Sequence, residues 1–159
     1  MKPLSLDSPS LTMGRFWQAH LWNVSKLKLI LELWDKDSNW AQTTVVKWFK
    51  ASHASWFLFI GTARGQMVLY KYNNANGRIV TSENIFKNTS IDDLDFDSAN
   101  QRLIVCDNCG EIRAYNVNTN FKLKLSWKYK SLGSFTIRQL HFDSDSEGVV
   151  AYTLHTGQR

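Results

Sequence analysis

Residues 90–129 decide the fold of this chain. They contain four short apolar segments separated by turns: IDDLDF (91–96), RLIVC (102–106), EIRAYNV (111–117) and FKLKLSWKY (121–129). Each segment is bounded by Asp, Asn, Ser or Gly, which are the residues that favour turns. Short apolar runs at this spacing predict four antiparallel β-strands joined in sequence order, a four-stranded meander.

The same pattern occurs again at a nearly constant distance along the chain. When Gly65 is aligned with Gly110, LFIGTARGQMVLYKY (58–72) falls on LIVCDNCGEIRAYNV (103–117) without a gap. Farther along, IDDLDFDS (91–98) matches IRQLHFDS (137–144), and VVAYTLHTG (149–157) repeats the strand, the hairpin and its glycine. The period is 45–48 residues throughout. A repeat of this length indicates one supersecondary unit used several times.

A period in the mid-forties with four strands per unit resembles the WD-repeat β-propeller family. In that family the third strand of each blade ends in Trp-Asp after a glycine hairpin. The corresponding pairs here are Trp22-Asn23, Tyr70-Lys71 and Tyr115-Asn116. An aromatic residue is therefore present at each position, and the Asp is absent from all three.

Further positions also depart from the family pattern. The family's Asp before the hairpin glycine is replaced by Arg64, Cys109 and Thr156, and no Gly-His pair precedes a blade. The hydrogen-bonded tetrad of the family is therefore not carried over to this chain. The resemblance, over residues 14–159, is to a divergent member, and it implies an all-β fold of propeller blades in an incomplete ring.

The repeat also predicts how the chain is divided. We expect a disordered lead-in at 1–13, which holds both prolines and several serines, followed by a half blade at 14–34. A blade at 43–86, a blade at 90–130 and a half blade at 134–159 follow. The first half blade has two predicted strands, at 16–24 and 27–34, in the third and fourth positions of a blade. The last has the first two strands, at 136–142 and 148–154.

Propellers generally have at least four blades. We therefore expect the remaining blades of a larger propeller, or other protein subunits, to cover the open ends of this chain. Without such a cover, the strand edges at 16–24 and 148–154 would be templates for association. An alternative is a homodimer in which each half blade completes its partner's and six blades result.

Composition and charge bound the class of protein. The chain has 159 residues, 43% apolar and 21% charged, as expected for a soluble globular domain. The net charge of +5 and a pI near 9.3 indicate either a solvated surface or an acidic partner, such as nucleic acid, an anionic membrane or an acidic protein segment. The longest wholly apolar run, 56–60, is too short to span a bilayer. The first ten residues lack an apolar signal-peptide region, and a cytoplasmic or nuclear location is predicted.

Few residues have the spacing of a chemical site. Cys106 and Cys109 form a C-x-x-C without a second pair, so a structural interpretation is favoured over a zinc site. Asp93, Asp95 and Asp97 alternate along one predicted innermost strand and face, we expect, a polar central channel. No catalytic, phosphate-binding or metal-binding motif is present. The sequence therefore predicts a non-enzymatic protein without cofactor or metal.

Residues 121–130 alternate between apolar and lysine-rich positions. The pattern predicts an outermost strand with the apolar side chains between Phe121 and Tyr129 on one face and four lysines on the other. The lysines either protect an edge or form an anion-binding stripe. Contacts are also expected in two polar loops, Lys50 to Ser55 and Asp35 to Asn39. The candidate interaction surface comprises Lys50, His53, Lys122, Lys124, Lys128 and Lys130.

These features predict a protein–protein interaction scaffold within a multiprotein complex. Rings of blades present loops and hairpins on two broad faces without a moving part, which suits docking. The alternative is a nucleic-acid-binding subunit that uses a basic and aromatic surface, in which Lys71, Arg113, Lys128 and Lys130 lie next to tyrosines. A chain of this composition does not identify the partner.

Overall fold

The computed structural model describes residues 10–13, 19–23, 28–33, 42–52, 55–73, 76–131, 135–143 and 148–155. Within these ranges every regular element is a β-strand, and no helix that could cross a membrane is found. The side chains discussed below belong to residues 42–50, 55–72, 77–131, 136–143, 148–149 and 151.

In the described residues, thirteen strands form four antiparallel sheets, which we call blades. The first blade has β1 (Ser10–Met13), β2 (Ala19–Asn23) and β3 (Lys28–Leu33). The second has β4 (Thr43–Ser52), β5 (Ser55–Thr62), β6 (Gln66–Asn73) and β7 (Asn76–Asn84). The third has β8 (Ile91–Asp97), β9 (Arg102–Asp107), β10 (Glu111–Val117) and β11 (Leu123–Lys130). The fourth has β12 (Phe135–Phe142) and β13 (Val149–His155).

The predicted meander is confirmed in the second and third blades, where neighbouring strands in the sheet are also neighbours in sequence. Their hairpin glycines share one conformation, since Gly65 has φ +79° and Gly110 has φ +78°. In both turns the amide of the glycine donates to the carbonyl of the last residue of the preceding strand, Thr62 or Asp107. A left-handed residue is needed there, and glycine adopts it without steric conflict.

A β-bulge recurs at the aromatic residue of the third strand in each blade that has one. The register shifts at Trp22 in β2, at Tyr70 in β6 and at Tyr115 in β10. These three aromatic residues are the ones that occupy corresponding positions in the sequence repeat. The extra residue always lies in the fourth strand, opposite the aromatic. The repeat is therefore visible in backbone pairing as well as in sequence.

The second, third and fourth blades pack face to face, and their first strands β4, β8 and β12 lie next to each other. The largest core lies between the second and third blades and includes Phe59, Met67, Leu69, Leu103 and Val105. A smaller core joins the third blade to the fourth, through residues such as Ile104, Ile112 and Leu140. Alternate residues of a strand point to opposite faces, so the third blade contributes to both interfaces.

The first blade differs from its prediction. The four residues of β1 lie within the stretch for which the sequence indicated disorder, and they pair with β2. Ser10 lies opposite Trp22, as Leu58 lies opposite Tyr70 and Leu103 opposite Tyr115. β1 is therefore the second strand of its blade. The first blade has three described strands rather than two, and the edge of β2 predicted to be open is paired.

Candidate interaction surfaces

The carboxylates of β8 connect two blades. Asp93 is only 5% exposed. One of its oxygens accepts the backbone N–H of Leu140 in β12 at 2.7 Å, and the other lies 2.8 Å from the Lys47 Nζ in β4. Asp93 thus contacts the first strands of both neighbouring blades. The prediction that it faces a central channel is wrong, because an unpaired N–H on the edge of β12 needs an acceptor.

The other acidic residues of β8 are also engaged in bonding. Asp95 accepts the backbone N–H of Phe142 at 2.8 Å and lies 3.8 Å from the Nδ1 of His141. Asp97 closes the turn to β9 by accepting the N–H groups of Ala99 and Asn100, and it pairs with Arg102 at 3.0 Å. Burial alone would raise the pKa of Asp97, but the hydrogen bonds outweigh it and lower that pKa. Asp93 and Asp95 therefore bind the neighbouring blades, and Asp97 stabilises a turn.

The two cysteines lie in different environments. Cys106 is buried between the third and fourth blades, with Sγ 4.0 Å from the Ile137 carbonyl, whereas Cys109 is exposed in the hairpin. Burial raises the pKa of Cys106 to about 12, so this residue is a thiol at neutral pH. Both cysteines are free, and among the described residues no group of three or more His, Cys, Asp or Glu could hold a metal ion.

This difference predicts selective alkylation. Because the thiolate is the reactive form, iodoacetamide at pH 8 should modify Cys109 in the folded protein and leave Cys106 unmodified. Peptide mass spectrometry measures the modification of each cysteine. The matched control is the same reaction in denaturant, where both cysteines should react at similar rates. Equal modification in the folded state would contradict the buried position of Cys106.

The bulge opposite Tyr115 divides the fourth strand of the third blade into two segments. The apolar side chains point to one face of the sheet before the bulge and to the other face after it. Before the bulge, Leu123 and Leu125 pair with Val117 and Tyr115, which face the second blade. After it, Trp127 and Tyr129 pair with residues that face the fourth blade: Ala114 and Ile112. The extra residue, Ser126, shifts the alternation by one position. The prediction that all these apolar side chains share one face is therefore wrong.

The lysines of this strand are divided in the same way. Lys124 pairs with Asn116, on the face towards the fourth blade. Lys128 and Lys130 pair with Arg113 and Glu111, on the face towards the second blade. All four predicted lysines, including Lys122, are exposed, but they do not form one continuous ladder. The stretch alternates without interruption in sequence, but the extra residue Ser126 reverses its faces opposite Tyr115.

An aromatic surface is exposed beside the fourth blade. Trp127 is 43% exposed and Tyr129 is 56% exposed. Trp127 borders a groove of about 360 Å³ that extends from Ala114 to Phe142 and Val149. In the described residues the fourth blade has two strands, which cover the inner part of the third blade and leave this outer part open.

The equivalent positions of the second blade show what normally covers such a surface. There the positions of Trp127 and Tyr129 are occupied by Thr81 and Glu83, opposite Leu69 and Met67. Those two side chains are partly buried, because the outer strands of the third blade pack over that face. The polar pair is thus covered, whereas the aromatic pair is exposed. This reversal marks Trp127 and Tyr129 as residues suited to a partner.

A basic cleft lies between the second and third blades. Its volume is about 420 Å³, and its charged lining consists of Arg64, Lys87 and Arg113. Asn84 and Asn88 contribute amide groups, and no carboxylate belongs to the lining. Arg64 and Lys87 are exposed, and neither has an ion pair among the described residues.

Arg113 is the fixed member of this cleft. Its Nε lies 2.6 Å from the Glu111 carboxylate, another guanidinium nitrogen donates to the Ile85 carbonyl, and the guanidinium lies over the Phe86 ring. Burial alone would lower the pKa of Arg113, but its hydrogen bonds to Glu111 and Tyr115 outweigh this and raise it. A permanent positive charge is therefore held at one position.

The remaining predicted contact residues have different outcomes. β4 extends to Ser52, which pairs with Ser55, so the long loop predicted at Lys50 to Ser55 is a short hairpin. Lys50 is exposed, with its Nζ 5.9 Å from the centre of the Trp56 ring. His53 and the loop from Asp35 to Asn39 lie outside the described residues. Sequence reasoning missed Arg64 and Lys87, and their spacing gives no signal, because the chain brings them together only through packing.

Comparison with known proteins supports the fold. No protein-family model matches the chain, and no curated protein matches it. Among solved structures it is similar to a crystal structure of a protein from Lactobacillus plantarum, a neighbour of propeller type, with a TM-score of 0.71 and 15% identity. The match covers 87% of this chain and 42% of that protein, so the chain spans less than half its length. At this identity the likeness shows the fold: all-β, with propeller-type blades.

Proposed function

We propose that this chain is a non-enzymatic, divergent WD-repeat-like propeller unit that works as a protein–protein interaction scaffold in a multiprotein complex. The observation that carries the proposal is the exposed pair Trp127 and Tyr129 beside a two-stranded fourth blade. Aromatic residues at the centre of an exposed patch are those most often found to dominate binding energy in protein interfaces. The carboxylates of Asp93 and Asp95 are engaged in contacts between blades.

The shape of this surface favours a partner that supplies β-strands. In the described residues β13 pairs only with β12, so its other edge is available to a further strand. A β-hairpin added there would occupy the third and fourth positions of the blade and would cover Trp127 and Tyr129. The main-chain hydrogen bonds and the aromatic surface would then contribute together. The hairpin belongs to another subunit or to further blades of a larger propeller.

A homodimer is a narrower form of the same proposal. The first blade holds strands in the second, third and fourth positions, and the fourth blade holds strands in the first and second. Joining the two from different copies gives five strands for four positions. β13 would therefore have to displace β1, which pairs over only four residues. Light scattering of the purified chain tests this form directly, since a monomer excludes it.

The nucleic-acid alternative is supported by the net charge of +5 and by the exposed lysines. Single strands are usually bound by basic grooves with exposed aromatic rings on which bases stack. Here Lys128 and Lys130 lie on the face opposite the exposed rings of Trp127 and Tyr129, whereas Lys124 lies on the same face as the rings. The separation of Lys128 and Lys130 from the rings favours the scaffold. The free thiols accord with a reducing compartment, and we place the protein in the cytoplasm or nucleus.

The central test is the double substitution of Trp127 and Tyr129 by Ser. We expect it to weaken capture of protein partners from nuclease-treated extract by more than about tenfold, because aromatic anchors contribute about 2 kcal/mol or more each. Quantitative mass spectrometry of the captured proteins is the measurement. The melting temperature should change little, since both side chains are already about half exposed.

Ile79→Ser is the matched control, because Ile79 is a large apolar residue with 44% exposure on another part of the surface. It should leave capture unchanged. Two results would reject the scaffold: captured proteins that disappear on nuclease treatment, or capture that survives the loss of both aromatic residues. The first of these results would favour the nucleic-acid alternative.

A further inference from the structure

We propose that the basic cleft between the second and third blades is a docking site for an acidic segment of a protein partner, which places its Asp or Glu carboxylates between Arg64, Lys87 and Arg113. The inference rests on the proposed scaffold function. It adds a second contact surface, which is basic, whereas the first is aromatic. It names the chemistry of the partner, which the aromatic surface alone does not.

The charge of the lining supports a carboxylate ligand. Three cationic side chains border the cleft, and the only other polar side chains in its lining are the amides of Asn84 and Asn88. All five side chains carry hydrogen-bond donors. Glu111, which lies outside the lining, pairs with the Nε of Arg113, whereas Arg64 and Lys87 have no ion pair among the described residues. Hydrogen bonds between ionised partners are the strong ones in recognition. An acidic segment therefore complements this site in both charge and donor set.

The cleft is also held in shape before a ligand arrives. The amides of Ile85 and Phe86 both donate to the Gly65 carbonyl, at 2.8 and 3.0 Å, which fixes the segment after β7. Arg113 donates to the Ile85 carbonyl from the third blade, so the segment is attached on both sides. Pre-organised groups lose little entropy on binding. Arg113 is thus a fixed charge, and Arg64 and Lys87 supply the exposed ones.

The buried state of the nearby rings argues for protein rather than nucleic acid. Phe86 is 3% exposed and lies under the Arg113 guanidinium, and Tyr115 is 8% exposed. Neither ring offers a surface on which a base could stack. An acidic peptide needs no ring on which to stack, because the groups recognised here are its side-chain carboxylates. The volume of about 420 Å³ is that of a site for a few side chains.

Fluorescence anisotropy with a labelled ten-residue glutamate-rich peptide tests the proposal. We expect saturable binding to the wild-type chain, little binding of a glutamine-rich peptide of the same length, and weaker binding as salt increases. The variant Arg64→Glu/Lys87→Glu should weaken binding by at least about tenfold, because it reverses both exposed charges of the site. Neither substitution removes a buried contact, so the melting temperature should be close to that of the wild type.

The variant Lys122→Glu/Lys124→Glu is the matched control. It changes the net charge by the same amount, and Lys124 lies on the opposite face of β11 from Arg113. The inference stands if only the cleft variant loses the peptide. It is overturned if the peptide does not bind, if both variants weaken it equally, or if a fifteen-nucleotide oligothymidine binds more tightly and is lost in the cleft variant.

The two proposals fail in distinguishable ways. If the cleft variant retains every protein partner that the Trp127 and Tyr129 variant loses, and the peptide does not bind, the scaffold stands and the acidic docking site is wrong. If partners vanish on nuclease treatment while the peptide still binds at the cleft, the scaffold is wrong although an anion site exists.

Discussion

Asp93→Ala should lower the free energy of unfolding by about 3 kcal/mol, because it removes a side chain that contacts both neighbouring blades. Without the carboxylate, the N–H of Leu140 loses its acceptor in a buried position, and Lys47 loses its ion pair. Lys47 is partly exposed and can turn towards water, which places the effect near the lower end for a broken buried pair. Equilibrium denaturation in urea, monitored by tryptophan fluorescence, is the measurement.

Asp93→Asn separates the two contributions. Its amide oxygen can still accept the Leu140 N–H but carries no charge for Lys47, so about half of the loss is expected. Asp95→Ala is a second control: Asp95 makes the same kind of bond, to Phe142, from a less buried position, and should lose about 1 kcal/mol. If Asp93→Ala unfolds like the wild type, the contact between blades does not stabilise the fold.

Gly65→Ala is the second large effect, with an expected loss of about 3 kcal/mol. Gly65 has φ +79°, which is unfavourable for any residue with a Cβ. In addition, a Cβ would lie 2.5 Å from the Phe86 carbonyl oxygen and 2.8 Å from that of Thr89. Both contacts are with backbone atoms, and the segment at Phe86 is held by the two hydrogen bonds from Ile85 and Phe86 to the Gly65 carbonyl. Thermal denaturation and circular dichroism measure the loss.

Gly65→Asn distinguishes conformation from crowding. Asn adopts positive φ more readily than Ala, so it would be the milder substitution if backbone conformation were the main cause. Because the Cβ clash is the same for both, we expect Asn and Ala to be similarly destabilising. A much milder Asn variant would show that the close approach to the segment after β7 matters little. The same variants should weaken peptide binding at the basic cleft, since that segment forms its lining.

The repeat made the blades predictable. Gly65 and Gly110 lie 45 residues apart, and a tyrosine follows farther along each strand, at Tyr70 and Tyr115. This pattern predicts the hairpin and the third strand of the second and third blades. The structure confirms both turns, with Gly65 and Gly110 at nearly equal φ. Such features are local, because a turn needs a particular φ and a strand needs alternating apolar residues. Requirements of this local kind depend on neighbouring residues, so they can be predicted from the sequence alone.

The candidate surfaces were only partly predictable. The lysines of residues 122–130 were identified as exposed, but the prediction of a common face was wrong, because the extra residue Ser126 reverses the two faces of β11 opposite Tyr115. The carboxylate of Asp93 was recognised as unusual, but its partners lie 46 and 47 residues away along the chain. The cleft of Arg64 and Lys87 gave no signal at all. In each case the deciding contact joins segments that are distant in sequence.

The sequence by itself determined that this protein is built of repeated antiparallel β-meanders, where the hairpins fall, and which positions carry the aromatic residues. Only the tertiary structure decided that Trp127 and Tyr129 are exposed together, that Asp93 holds two blades, and that three cations converge on one cleft. The reason is physical. Backbone conformation depends on neighbouring residues, whereas the direction and burial of a side chain depend on which strands pair and which blades pack against it.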